Sequence, residues 1–100
     1  MLRDIQEIAE HYGFEAQSSQ LIEECAELIQ AINKYKRASG TGQPLAEDRK
    51  LTVVQDVIEE IADVEIMLEQ IKHLLFIPDT TIAYMKRYKV DRTKARISRE

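Results

Sequence analysis

Between Leu51 and Leu75 the chain reads LTVVQDVIEEIADVEIMLEQIKHLL, with apolar residues recurring at intervals of three and four. That period specifies one long amphipathic helix. At about 100° per residue, Val53, Val57, Ile61, Val64, Met67, Leu68, Ile71, Leu74 and Leu75 share one broad arc. Glu60 and Asp63 fall inside that arc, whereas Glu59, Glu65 and Glu69 fall outside it or at its margin. Two carboxylates three residues apart therefore point where the core is expected. A buried, unpaired carboxylate is strongly unfavourable, so such groups are protonated, paired or bound to metal. The pattern calls for a second helix that supplies the complement.

The second helix is predicted over residues 20–37. Leu21, Cys25, Leu28, Ile29, Ile32 and Tyr35 form its apolar arc, and Glu23, Glu24, Glu27 and Lys34 form the neighbouring one. Cys25 on the apolar side reads as a buried, inert thiol. A short amphipathic helix is expected over residues 2–12, ended by Gly13, with His11 favoured near its C-terminus. Residues 14–19 then read as a connector in which Ser18 or Ser19 caps the next helix. Residues 38–50 form a long loop, either a connector or a lid. Pro78 interrupts the pattern, and a last helix is expected over residues 81–98, with Asp79 or Thr80 placed to cap it. This organisation is all-α, about four helices in an antiparallel bundle, in a single domain over residues 1–100.

Charge narrows the function. The net charge of −4 conceals a split: residues 1–85 carry 7 basic and 16 acidic side chains, and residues 86–100 carry 7 basic and 2 acidic. An acidic body repels a nucleic-acid polymer, and acid and base together suggest metal plus phosphate. The longest apolar run, Leu74–Ile77, is far too short for a bilayer, and no signal-peptide pattern opens the chain. One cysteine excludes an intrachain disulfide and fits a reducing compartment, so a cytoplasmic protein is expected. A small chain of long helices buries a core better in pairs, so a homo-oligomer, dimer or tetramer, is expected too.

Glu24 and Glu27 are three apart on one helix, and Glu60 and Asp63 three apart on the other. Packed antiparallel, the helices would bring four carboxylates together, whose repulsion calls for a cation. All-oxygen ligands suit Mg²⁺ first and Mn²⁺ second. No histidine stands three or four residues from these acids and no Cys pair exists, which argues against zinc and against a di-iron bundle. The alternative is that these acids belong to ordinary solvated helix faces. Asp56, one turn before Glu60, reads as a surface acid or an outer ligand. Tyr35 reads as packing or as a platform for a base. Lys34 reads as a partner of the acids or of a phosphate.

Glu23-Glu24-Cys25-Ala26-Glu27, followed by Glu60-Ile61-Ala62-Asp63-Val64, resembles the EExxE…ExxD signature of the MazG-like all-α nucleoside triphosphate pyrophosphohydrolases. QLIEECAELIQAINK is similar to that family's first motif helix and VIEEIADVEIMLEQI to its second, while Lys86-x-x-Lys89-x-x-Arg92 resembles its closing basic segment. The likeness spans residues 17–96, with a linker between the motifs longer than in many members. It implies Mg²⁺-dependent hydrolysis of a (deoxy)nucleoside triphosphate to monophosphate and pyrophosphate. By position, Glu24, Glu27, Glu60 and Asp63 would be metal ligands, and Glu23 would either support those ligands from behind or orient the attacking water. Lys86, Lys89 and Arg92 would bind substrate phosphate, the alternative being an ordinary solvated basic face. Family members assemble as dimers or tetramers, and an active site can draw on a neighbouring copy. Two alternatives compete. One is the related phosphoribosyl-ATP pyrophosphohydrolase, whose Tyr-His after the second motif is replaced here by Val64, Glu65, Ile66 and Met67. The other is a non-catalytic helical interaction module.

Overall fold

The computed structural model describes residues 1–39 and 47–100. Among these the protein is all-helical, with three helices: α1 (Leu2–Ser39), α2 (Glu47–Leu74) and α3 (Asp79–Ser98). The expected count of four is corrected to three. Gly13 does break the helical path, at φ 85° and ψ 170°, but helix resumes at once. Residues 14–19 are therefore helical rather than a connector, and Ser18 caps nothing. Its hydroxyl donates back to the Glu15 carbonyl at 3.2 Å. α2 begins at Glu47, earlier than expected, and α1 runs on to Ser39. The expectation of a lid over residues 38–50 falls largely on residues outside those described.

α1 and α2 pack antiparallel as a hairpin. Three cross-pairs mark the register: Glu10 with His73, Gln17 with Gln70, and Lys34 with Asp56. The seam has a seven-residue repeat, as expected where two helices pack along their lengths. On α1 it passes through Gln17, Glu24, Ala31 and Ala38, and on α2 through Val53, Glu60 and Met67. All of these are buried except Glu24 and Glu60, which are half-buried. Small alanines on α1 let the backbones approach where Val53 fills the seam.

The apolar arc expected on α2 is wider than the face that packs. Val53 and Met67 are buried, but Ile61 and Leu68 remain 42% and 46% exposed. Cys25 is likewise exposed, not buried as its place on the helical wheel suggests. It lies on the flank of α1 away from the seam.

α2 ends in a Schellman turn. Phe76 takes the left-handed conformation (φ 56°). The Ile77 N–H donates to the Lys72 carbonyl at 2.9 Å and the Phe76 N–H to the His73 carbonyl at 3.2 Å, which together satisfy carbonyls that a helix end leaves free. Pro78 stands as the extended N-cap of α3 without a side-chain cap bond, so neither Asp79 nor Thr80 acts as the cap. Asp79 sits in the first turn, where an anion is favoured, and accepts from Lys72 Nζ at 3.0 Å. Lys72 also donates to Glu69 at 2.6 Å, so the two carboxylates hold its ammonium above the usual lysine range. Beyond this tether α3 buries none of its residues.

Candidate metal centre

The register that pairs Gln17 with Gln70 sets the acidic residues opposite each other. Two turns further along α1, Glu24 meets Asp63, and one turn beyond that Glu27 meets Glu60. One oxygen from each of the four carboxylates lies within 4.8 Å of the others. The convergence expected from antiparallel packing is therefore present in the structure. Gln20, one turn before Glu24, donates its amide to Glu24 Oε1 at 2.8 Å and fixes that carboxylate's orientation.

The cluster is electrostatically unresolved as it stands. Burial first, and then the charges of Glu27, Asp63 and Glu24, push the Glu60 carboxyl above its ordinary range. Burial and the charge of Glu24 do the same to Asp63. Two oxygens, Glu24 Oε2 and Glu60 Oε2, are shut off from solvent and have no hydrogen-bond partner. Buried polar atoms almost always find a partner. A hard divalent cation fits this donor set: all ligands are carboxylate oxygens, and the two orphaned atoms would gain the partner they lack.

The other expected site residues lie elsewhere. Glu23 is exposed on α1 beside Glu24 and outside the four-carboxylate group. Lys86, Lys89 and Arg92 are exposed on α3, and among the described residues no ion pair joins them to the cluster. Arg92 instead lies over the ring of Tyr88, its Cζ 5.7 Å from the centroid, a cation–π distance. Lys34 donates to Asp56 Oδ2 at 3.1 Å, so the acid one turn before Glu60 is an ion-pair partner. Gln17, Gln20 and Gln70 do not stand out when each helix is read alone. Their signal, visible once the register is known, is the seven-residue spacing of Gln17 to Glu24 and of Asp63 to Gln70.

No protein-family model, curated protein or solved structure matches this chain.

Proposed function

We propose that the chain is a divalent-cation-dependent nucleoside triphosphate pyrophosphohydrolase that splits a (deoxy)nucleoside triphosphate and water into a monophosphate and pyrophosphate. The observation that carries this reading is the meeting of four carboxylates with two orphaned, buried oxygens. The resemblance of residues 17–96 to the MazG-like family supports it in the same positions.

In this reading Glu24, Glu27, Glu60 and Asp63 hold the cation, Mg²⁺ by preference or Mn²⁺. The cation would neutralise phosphate charge and acidify a bound water. The chain's own contribution is positional. Gln20 orients Glu24, and the hairpin register holds both pairs at a fixed separation. Glu23, on the exposed flank of the same turn, is assigned the orienting of the attacking water. The basic face of α3 is assigned to neutralise phosphate at the site of a neighbouring copy.

Assembly belongs to the same proposal. The surface of 7925 Å² exceeds the roughly 5,800 Å² expected for a compact monomer of this mass. The radius of gyration of 17.4 Å exceeds the roughly 13 Å expected for 100 residues. Leu51, Val54, Ile58, Ile61 and Leu68 form a second apolar stripe along α2, all exposed. A homo-oligomer, dimer or tetramer, would cover it. Among the described residues no helix is long and apolar enough to cross a membrane, and the proposed setting is the cytoplasm, where nucleoside triphosphates are at hand.

The test is pyrophosphate release from a panel of ribo- and deoxynucleoside triphosphates, with and without Mg²⁺. Cation-dependent release of monophosphate plus pyrophosphate is expected, and it is abolished in a folded Glu60→Gln variant. Undiminished turnover in that variant overturns the reading.

A further inference from the structure

Next to the carboxylate cluster, a cleft of about 650 Å³ opens between α1 and α2. Its walls carry Glu27 and Glu60 at one end and Lys34, Arg37, Asn33 and Asp56 beyond them. Lys34 stands seven residues after Glu27, two turns and roughly 10 Å along one helix face. Arg37 stands one further turn away. The cleft thus runs from the cluster's carboxylates to a far end where Lys34 and Arg37 outnumber the single acid Asp56. A ligand suited to it carries anionic groups in series, the nearer held through a divalent cation and the farther held directly.

Lys34 has a partner that a ligand can replace. Its pair with Asp56 measures 3.1 Å, with the lysine and aspartate side chains 50% and 38% exposed. An ion pair this exposed is weak and exchanges readily for a stronger anion. Arg37 makes no ion pair among the described residues, and its guanidinium can bind phosphate through two donors at once.

We propose that Lys34 and Arg37 are the in-chain cations that grip the distal phosphate oxygens of the substrate, with Lys34 exchanging Asp56 for phosphate on binding. This deepens the reading of the carboxylate cluster as a nucleoside triphosphate site and rests on it. It names a polyphosphate-binding wall on α1, separate from the basic face of α3.

Two measurements test it: calorimetric binding of inorganic tripolyphosphate in the presence of Mg²⁺, and KM and kcat for pyrophosphate release from the nucleotide panel. Wild type is compared with Lys34→Met, Arg37→Met, the double variant and Lys36→Met as a control, with helicity checked by circular dichroism. Each cleft substitution is expected to weaken tripolyphosphate binding and raise KM by roughly tenfold, and the control to change neither. Asp56→Asn, which frees Lys34, is expected to tighten tripolyphosphate binding. Unchanged binding and KM in the double variant, with wild-type turnover intact, overturns the assignment and leaves the hydrolase reading standing. A wild type that turns over no nucleotide but binds tripolyphosphate through Lys34 and Arg37 overturns the hydrolase reading and upholds the assignment. A wild type that binds no tripolyphosphate overturns the assignment whatever its turnover.

Discussion

Gln17 donates its side-chain amide to the Gln70 side-chain oxygen at 2.7 Å, with both residues buried. The bond joins positions 53 residues apart and lies two turns from the Glu24–Asp63 pair. It therefore pins the register that brings the carboxylates together. Truncating one partner leaves the other amide buried and unsatisfied, whereas replacing both removes the unmet need. Gln17→Leu and Gln70→Leu are each expected to cost about 1–3 kcal/mol, and the double variant to recover most of that loss. Urea denaturation at fixed chain concentration reads this directly. Strictly additive losses in the double variant would show that the two amides do not depend on each other.

The raised Glu60 and Asp63 carboxyls make a pH prediction with a definite sign. Folding raises their proton affinity, so the folded metal-free chain binds protons that the unfolded chain releases. The stability this contributes is fully present below the unfolded values. It is lost as pH rises through the raised folded ones. In the presence of EDTA, the melting temperature is therefore expected to fall as pH rises above the ordinary carboxylate range. Saturating Mg²⁺ reverses that slope, because the cation competes with the protons and stabilises the state it binds. Glu60→Gln removes the charge while keeping the shape. It should melt at or above the metal-free wild type and lose the Mg²⁺-dependent stabilisation. If Mg²⁺ left the wild-type slope unchanged, the four carboxylates would not be a cation site.

The acid pairs are legible from periodicity because 3.6 residues per turn fixes which side chains share a face. Periodicity does not say which part of a broad arc meets the partner helix. Ile61 and Leu68 share the arc with Val53 and Met67, yet they face outward, and Cys25 follows the same logic on α1. Gly13 reads as a stop because glycine commonly ends helices. Here it turns the chain within one residue, so the residues after it carry no signal of their own. The Gln17–Gln70 bond lies beyond any single-helix reading, since it depends on how two helices slide past each other.

The two left-handed positions should respond in opposite ways. Gly13 (φ 85°, ψ 170°) occupies backbone space essentially confined to glycine, although a Cβ there would meet nothing within 4 Å. Gly13→Ala is expected to cost about 1–3 kcal/mol from backbone strain alone. Phe76 holds a helix-end position that suits glycine, and its side chain is 91% exposed. Phe76→Gly relieves that strain and is expected to gain about 0.5–1 kcal/mol, after the greater chain entropy of glycine is counted. Thermal unfolding of both variants checks the pair of signs.

The exposed stripe on α2 sets a prediction about assembly. Leu51, Val54, Ile58 and Ile61 recur at three and four, and Leu68 follows two turns on, on a face that α1 does not cover. On α1, Ile22 and Ile29 are similarly bare, at 70% and 61% exposed. The surface excess over a compact monomer is about 2,000 Å², larger than the roughly 800 Å² that each partner contributes to a standard interface. Sedimentation equilibrium at micromolar concentration is therefore expected to show a dimer or tetramer. Ile58→Asp places a charge in the middle of the stripe, where burial without a partner is strongly unfavourable, and should drive the chain toward monomer. The hairpin seam runs along the other side of α2, so helicity and the Gln17–Gln70 bond should survive that change. Because the basic face of α3 is assigned to a neighbouring copy, Ile58→Asp should also lower turnover while leaving Mg²⁺ binding nearly intact. A wild type that sediments as a monomer would remove both the interface and the role given to α3.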